Sequence, residues 1–327
     1  MKPRLLIILS CLLLLSLVLA AQQPPAPTPE TQQPTSVTIV LPHGGQARKM
    51  KLAIPAFRGM GQMTGQAGGA GRELEATVRR DLELSGYFEI QGAEVLSGLA
   101  LTGDVQQDLA AYRSTGNEVL LLGDLRAEGD RIVFEGRVLD LGSGQAVLAK
   151  RYSGPFTVSR RMAHTFADEV IRFLIGRPGI AMSSIAFASD RSGNKEIWVM
   201  DYDGENQHRI TGHRSTSMSP AWSPNGGALA YTSFFKGPPG IFLADLASGM
   251  KRPIVDSGSL NTSPSFSPDG RRIVFARSLD GNVEIFTADV GGGGLRRLTN
   301  SNAIDTNPAW SPKGGQIAFT SSRAGNP

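Results

Sequence analysis

PAWSPNG at residues 220–226 returns as PSFSPDG at 264–270 and again as PAWSPKG at 308–314, so that Pro220, Pro264 and Pro308 stand 44 residues apart. Three more motifs keep this pitch. IAFAS from Ile185 recurs as LAYTS from Leu229, IVFAR from Ile273 and IAFTS from Ile317; IWVMD from Ile197 recurs as IFLAD from Ile241 and IFTAD from Ile285; RIT from Arg209 recurs as PIV from Pro253 and RLT from Arg297. Each unit reads as four short strands. A Pro-aromatic strand enters a Ser-Pro-x-Gly turn, in which proline presets the first dihedral and glycine accepts positive φ. An alternating apolar strand, a loop, the IFxAD strand, a second glycine turn and a short last strand complete it. Four strands in 40 to 45 residues is the pitch of a β-propeller blade. The span from Ser183 to Pro327 holds about 3.3 periods, whereas propellers close with ~4 to 8 blades. The expectation is a propeller domain over 177–327 that is incomplete at its C-terminal end.

Working outward from the repeat, Trp222, Phe266 and Trp310 share one repeat position, which predicts core aromatics packed between neighbouring sheets. The loops ahead of each entry strand (214–219, 259–263 and 303–307) and those between the second and third strands (233–239, 277–282 and 322–326) vary while the framework stays constant. They are polar and rich in hydroxyl and amide groups, a composition suited to holding a protein loop or peptide.

Upstream the repeat is absent and the pattern changes to α/β over 37–176. KLAIPAF (51–57) reads as a strand and the glycine-rich stretch 58–71 as a loop. RELEATVRRDLELSG (72–86) reads as an amphipathic helix with Leu74, Val78 and Leu82 on one face. Strands are expected over 87–90, 118–122, 131–139 and 146–152, with hairpin turns at Gly129-Asp130 and Gly142-Ser143-Gly144. A second helix over 159–175 is expected to bury Met162, Phe166, Val170, Phe173 and Leu174 and to stop at Gly176, followed by a GRPGI hinge at 176–180. The expected domain is sandwich-like.

The first 21 residues combine basic Lys2 and Arg4, an apolar run from Leu5 to Leu19 and small Ala20 and Ala21, the pattern of a secretory signal peptide. The apolar run is short of the ~20 residues of a spanning helix. Residues 22–36 (QQPPAPTPETQQPTS) form a Pro/Gln-rich flexible segment. Cys11 is the one cysteine in the sequence; signal cleavage leaves a chain without disulfides or thiolate chemistry, which suits a periplasm. A net charge of +4 over 327 residues gives no support to nucleic-acid binding.

Catalytic patterns are missing: no HExxH, GxSxG, GxxxxGK[ST] or CxxC occurs. The glycines at 59, 61, 65, 68, 69 and 71 do not fall in GxGxxG spacing. DYDG at 201–204 departs from a calcium loop after its glycine, and SDRSGNKEIW at 189–198 is out of step with an Asp box. His43, His164, His208 and His213 recur at no repeat position. No catalytic residue, cofactor or metal site is expected.

AHTFADEVIRFLIGRPGI at 163–180, SIAFASDRSGNKEIWVMDYDG at 184–204, MSPAWSPNG, LNTSPSFSPDG and IDTNPAWSPKGGQIAFTSSRAGNP together resemble the TolB family of the Tol-Pal envelope system, over about Val37 to Pro327. The resemblance implies a non-enzymatic periplasmic protein with a six-bladed propeller. One mouth of that propeller docks the peptidoglycan-associated lipoprotein Pal, the mature N-terminus engages TolA, and the system supports outer-membrane integrity and cell division. Carried over by motif, the loops before PSFSPDG and PAWSPKG place Asn261, Thr262, Asp305 and Thr306 at the Pal-facing mouth, with Thr216 and Ser217 beside them; the acidic side chain is expected to attract a basic partner residue. The Pro/Gln-rich start has no obvious match to the family's TolA-binding segment. The alternative is the propeller of a prolyl-oligopeptidase-like serine peptidase whose catalytic domain follows beyond Pro327; a carbohydrate-binding propeller is the third reading.

Overall fold

The computed structural model describes residues 48–326 apart from 100, 101, 103 and 280. The expected signal peptide, the Pro/Gln-rich segment and His43 lie outside the described residues. Among the described residues, no helix is long and apolar enough to cross a membrane.

The first half contains β1 (Met50–Ala53), α1 (Gly65–Leu84), β2 (Phe88–Ile90), α2 (Ala93–Ser97), α3 (Val105–Ser114), β3 (Val119–Glu128), β4 (Arg131–Asp140), β5 (Ala146–Pro155) and α4 (Ser159–Ile175). The strands form one sheet in the order β2-β1-β3-β4-β5, with β1 parallel to β2 and β3, and β3, β4 and β5 antiparallel. Side chains alternate across a strand, and β3 uses both sets. Val119, Leu121 and Leu125 join Leu74, Val78 and Leu82 of α1 and Phe166 and Val170 of α4 in one core. Leu120 and Leu122 join Leu96 of α2 and Leu109 and Tyr112 of α3 in another. Each such fully buried side chain contributes about 1.5 to 3 kcal/mol. Helices therefore cover both faces of the sheet, and the expected sandwich-like domain is a three-layer α/β arrangement.

Two glycines set the close approach. A Cβ on Gly123 would stand 2.4 Å from the Phe57 ring, and one on Gly136 2.4 Å from the Phe166 ring. The Phe134 ring fits between them, stacked on Phe57 at 5.5 Å and edge-on to Phe166 at 5.1 Å.

Three expectations need correction. The 58–71 stretch is not a loop throughout, because α1 starts at Gly65. Glycine disfavours helix by about 1 kcal/mol, but a Cβ on Gly68 would meet the Met63 carbonyl at 2.6 Å, so packing decides against propensity. Helices α2 and α3 were not expected; Asp104 caps α3 by accepting from the backbone N–H groups of Gln106 and Gln107. Phe173 is 52% exposed rather than buried. Helix α4 does end at Gly176, whose φ is 73°. The two residues that follow GRPGI are stapled back onto α4: Asp168 accepts from Ala181 N at 2.8 Å and Met182 N at 3.2 Å.

The repeats form a fan of antiparallel sheets. β6 (Ser184–Ser192), β7 (Asn194–Asp201) and β8 (His208–Arg209) make the first. β9 (Ser217–Trp222), β10 (Ala228–Ser233), β11 (Gly240–Asp245) and β12 (Lys251–Val255) make the second. β13 (Leu260–Phe266), β14 (Arg272–Leu279), β15 (Asn282–Asp289) and β16 (Arg296–Arg297) make the third, and β17 (Asp305–Trp310) pairs with β18 (Ile317–Ser321). Both faces of a middle sheet are buried. Ile273 and Phe275 pack with Ala230 and Leu243 of the sheet before, while Val274 and Ala276 face Trp310 and Ile317 of the sheet after. Entry strands β9, β13 and β17 lie side by side, as the inner strands of a propeller do. Phe266 is buried, and Trp222 and Trp310 are half-buried against these cores. The Ser-Pro-x-Gly turns form as expected, with Gly226, Gly270 and Gly314 at φ 70°, 69° and 80°. Ser223 Oγ accepts from Ala228 N at 2.9 Å and Ser267 Oγ from Arg272 N at 3.0 Å, which explains the serine in the first two turns, while Ser311 Oγ accepts from Lys313 N at 3.3 Å.

Candidate functional site

At one end of the fan the loops before the entry strands meet those between second and third strands. Phe234 N donates to Thr216 O and Ser322 N to Ile304 O within one repeat, and Asn261 N to Pro239 O across to the repeat before, so the loops are tied together within and between sheets. The entry strands all carry a bulge here, produced by Ser219, Ser263 and Asn307 in left-handed conformation at φ 52°, 55° and 48°. These residues are one period apart and none is glycine. Such conformations cost a non-glycine residue about 1 to 3 kcal/mol and cluster at sites of function.

The six expected mouth residues divide into two kinds. Ser217, Asn261 and Asp305 occupy one repeat position and are fully buried. Asn261 Nδ2 donates to Pro239 O at 3.2 Å and Ser257 O at 3.0 Å, and its Oδ1 accepts from Arg277 at 3.1 Å. Asp305 pairs with Arg323 at 2.6 Å, so its charge is compensated within the chain. Ser217 Oγ donates to Ser233 Oγ at 3.3 Å. Thr216, Thr262 and Thr306 are half-buried and present surface. Thr232 Oγ1 links to Thr262 Oγ1 at 3.4 Å, and Ser263 Oγ reaches Asn307, giving a hydroxyl and amide lining that crosses from sheet to sheet.

Two buried glutamates hold these loops from behind. Glu196 accepts from Thr211 Oγ1 and Arg214 N. Glu284 accepts from Thr299 Oγ1 at 2.5 Å, Ser301 N at 2.7 Å and Arg297 at 2.9 Å. Burial raises the Glu284 carboxyl, but these donors outweigh it and hold it below the usual glutamate range. Both glutamates are one repeat position, two periods apart, and the spacing is the signal that could have found them.

A second cluster joins the two domains, and the sequence reading missed it. AHTFADE lies on α4, and MDYDG forms the end of β7 and its turn; the fold brings them into contact. His164 Nδ1 lies 2.7 Å from Asp81 Oδ2 on α1, with Asp81 fully buried. Arg160 reaches Asp203 Oδ2 at 2.5 Å and Thr77 Oγ1 at 3.2 Å. His164, which recurs at no repeat position, therefore has a carboxylate partner. Burial alone would lower the His164 imidazole, yet Asp81 more than offsets it and raises it; burial also raises Asp81, which His164 only partly reverses. A cleft of ≈ 530 Å³ opens here, lined by Glu73, Arg160, Arg161, His164, Asp201 and Asn206 among others.

Comparison with known proteins follows this division. Residues 37–147 match the family profile of the TolB amino-terminal domain and residues 172–327 that of the TolB beta propeller domain. The Protein TolB homolog of Chlorobium chlorochromatii is 33% identical over 187 residues, 57% of this chain and 42% of the relative. The Tol-Pal system protein TolB of Desulfosudis oleivorans is 36% identical over 206 residues, 61% of this chain and 46% of the relative. The chain thus spans a little under half the length of these curated relatives. The crystal structure of TolB from Acinetobacter baumannii superposes with a TM-score of 0.73 at 28% identity, covering 85% of this chain and 67% of that one.

Proposed function

Because the chain belongs to the TolB family, carrying its amino-terminal domain followed by its β-propeller domain, we propose that it is a non-enzymatic, periplasmic binding component of the Tol-Pal system. Its propeller mouth docks the peptidoglycan-associated lipoprotein Pal, and through that contact the protein supports outer-membrane integrity and cell division. TolA is the second partner, engaged through the segment that precedes the α/β domain.

The single observation that carries this reading is the pairing of these two domains in one chain, which a peptidase propeller does not require. The mouth adds physical support. Its threonines and the Ser263 and Asn307 side chains offer donors and acceptors at a rim of set geometry, as a hydrogen-bonding interface needs. Asn261, Asp305 and Ser217 act as positioning residues that fix the loops from within. Rigid loops lower the ordering cost of association. Recovery of Pal with the tagged full chain from crosslinked envelopes supports the proposal; consistent absence of Pal from the crosslinked species, with the protein folded and exported, counts against it.

A further inference from the structure

From the domain junction we infer a divalent metal site built from His164, Asp201 and Asp203, with zinc the ion best matched to the donor set. One donor atom of each residue lies within 4.8 Å of the others. The His164 side chain is 6% exposed and that of Asp203 3%. His164 Nε2 is buried with no hydrogen-bond partner, and the residues His164 and Asp201 both line the cleft.

The distances favour a metal over a hydrogen bond. His164 Nε2 stands 3.9 Å from Asp201 Oδ2, beyond the ~2.7 to 3.2 Å of an N–H···O bond. Two metal–ligand bonds of about 2.0 to 2.2 Å at a tetrahedral ion bring their donors to about 3.4 Å, so the Asp201 carboxylate closes by about half an ångström when the ion binds. The other ring nitrogen is placed as metal-bound histidines place it. Nδ1 donates to the buried Asp81 carboxylate at 2.7 Å, which fixes the tautomer, turns the Nε2 lone pair outward and raises its basicity.

Charge points the same way. Asp201 and Asp203 converge on Arg160, whose guanidinium lies 2.5 Å from Asp203 and 3.6 Å from Asp201, while Asp81 pairs with His164. Asp81, Asp201 and Asp203 outnumber the Arg160 guanidinium around the His164 ring, and a bound cation takes the place of a proton on Nε2. Glu73, at the rim of the cleft, accepts from Ser159 Oγ at 2.6 Å. A divalent cation neutralises the remaining carboxylate charge, and the cleft gives it an entry path and room for a water in the fourth position. One imidazole and two carboxylates suit zinc, whereas calcium and magnesium prefer all-oxygen shells. Because His164 belongs to α4 and both aspartates to the propeller side, the bound ion clamps one domain to the other. Arg160 competes for the same carboxylates and sets a ceiling on affinity.

The test is calorimetric titration of zinc chloride into the chelator-treated full chain, beside cobalt(II) titration followed by visible absorption. The expected result is one ion per chain, with a cobalt spectrum that is lost in His164→Gln. Asp81→Asn should weaken binding about 10- to 100-fold. Arg160→Gln should tighten it, a direction that mere loss of a structural ion pair does not produce. Circular dichroism confirms folding of each variant, and the wild-type titration stands even where a variant does not fold. No heat above dilution and no cobalt spectrum in the wild type overturn the site, leaving a protonated His164 between two aspartates. So does zinc binding that survives intact in His164→Gln, which would assign the ion to other histidines.

Discussion

Ser263 Oγ donates to Asn307 Oδ1 at 3.1 Å, a contact between residues one 44-residue period apart. Both hold left-handed backbone, at φ 55° and 48°. Serine and asparagine tolerate that conformation better than a β-branched residue, for which it is a true outlier. Ser263→Val should therefore cost about 1 to 3 kcal/mol, read as a lower urea midpoint, and Ser263→Gly should cost less. Equal losses in the two variants would show that the bulge is not strained.

Burial separates stability from recognition at the mouth. Asn261→Ala removes three hydrogen bonds in a fully buried setting and leaves Arg277 without that acceptor. It should lose about 2 to 3 kcal/mol of stability. Thr262→Ala, at a half-buried surface position, should stay within about 0.5 kcal/mol while weakening Pal binding. Thermal unfolding of both variants beside one binding titration distinguishes the two roles.

Gly136 lets the Phe166 ring close onto the sheet of the α/β domain. Gly136→Ala places a methyl group 2.4 Å from the Phe166 ring, and overpacking of this kind costs about 1 to 3 kcal/mol. Gly129→Ser, at a positive-φ turn with open space around it, carries backbone strain and no clash, so near-ultraviolet circular dichroism should change only in the first variant.

Acid should unfasten the loops behind the mouth. The Glu284 carboxyl is held below its ordinary range, so its contribution is fully present above the unfolded value of ~4.3. That contribution is lost as pH falls through the lower folded-state value. Glu284→Gln should flatten the stability-against-pH curve below about pH 4 and lower the plateau above it. An unchanged acid slope would show that Glu284 does not carry the linkage.

The propeller strands were legible in sequence because their period is enforced twice. The middle strand buries alternating side chains against both neighbouring sheets, so Ile273 and Val274 cannot drift from register. The glycine-rich start of α1 was not legible, since Gly68 is helical only because the Met63 carbonyl approaches it, a tertiary fact. Helix α3 had a readable signal in the Asp104 cap. The mouth position of Asn261 could be read from its motif, but its burial depends on Arg277 and Pro239, which pattern alone does not join to it. The Asp81–His164 contact spans 83 residues and has no local signature.

The central claim is that the mouth of this propeller holds Pal, and calorimetric titration of the soluble Pal domain into the purified full chain tests it most directly. The account predicts a saturable one-to-one heat that is weakened in Thr262→Ala and in Thr306→Ala, with the folding of both variants unchanged. Absence of saturable heat with the folded wild-type chain, or binding that neither threonine variant alters, would contradict it.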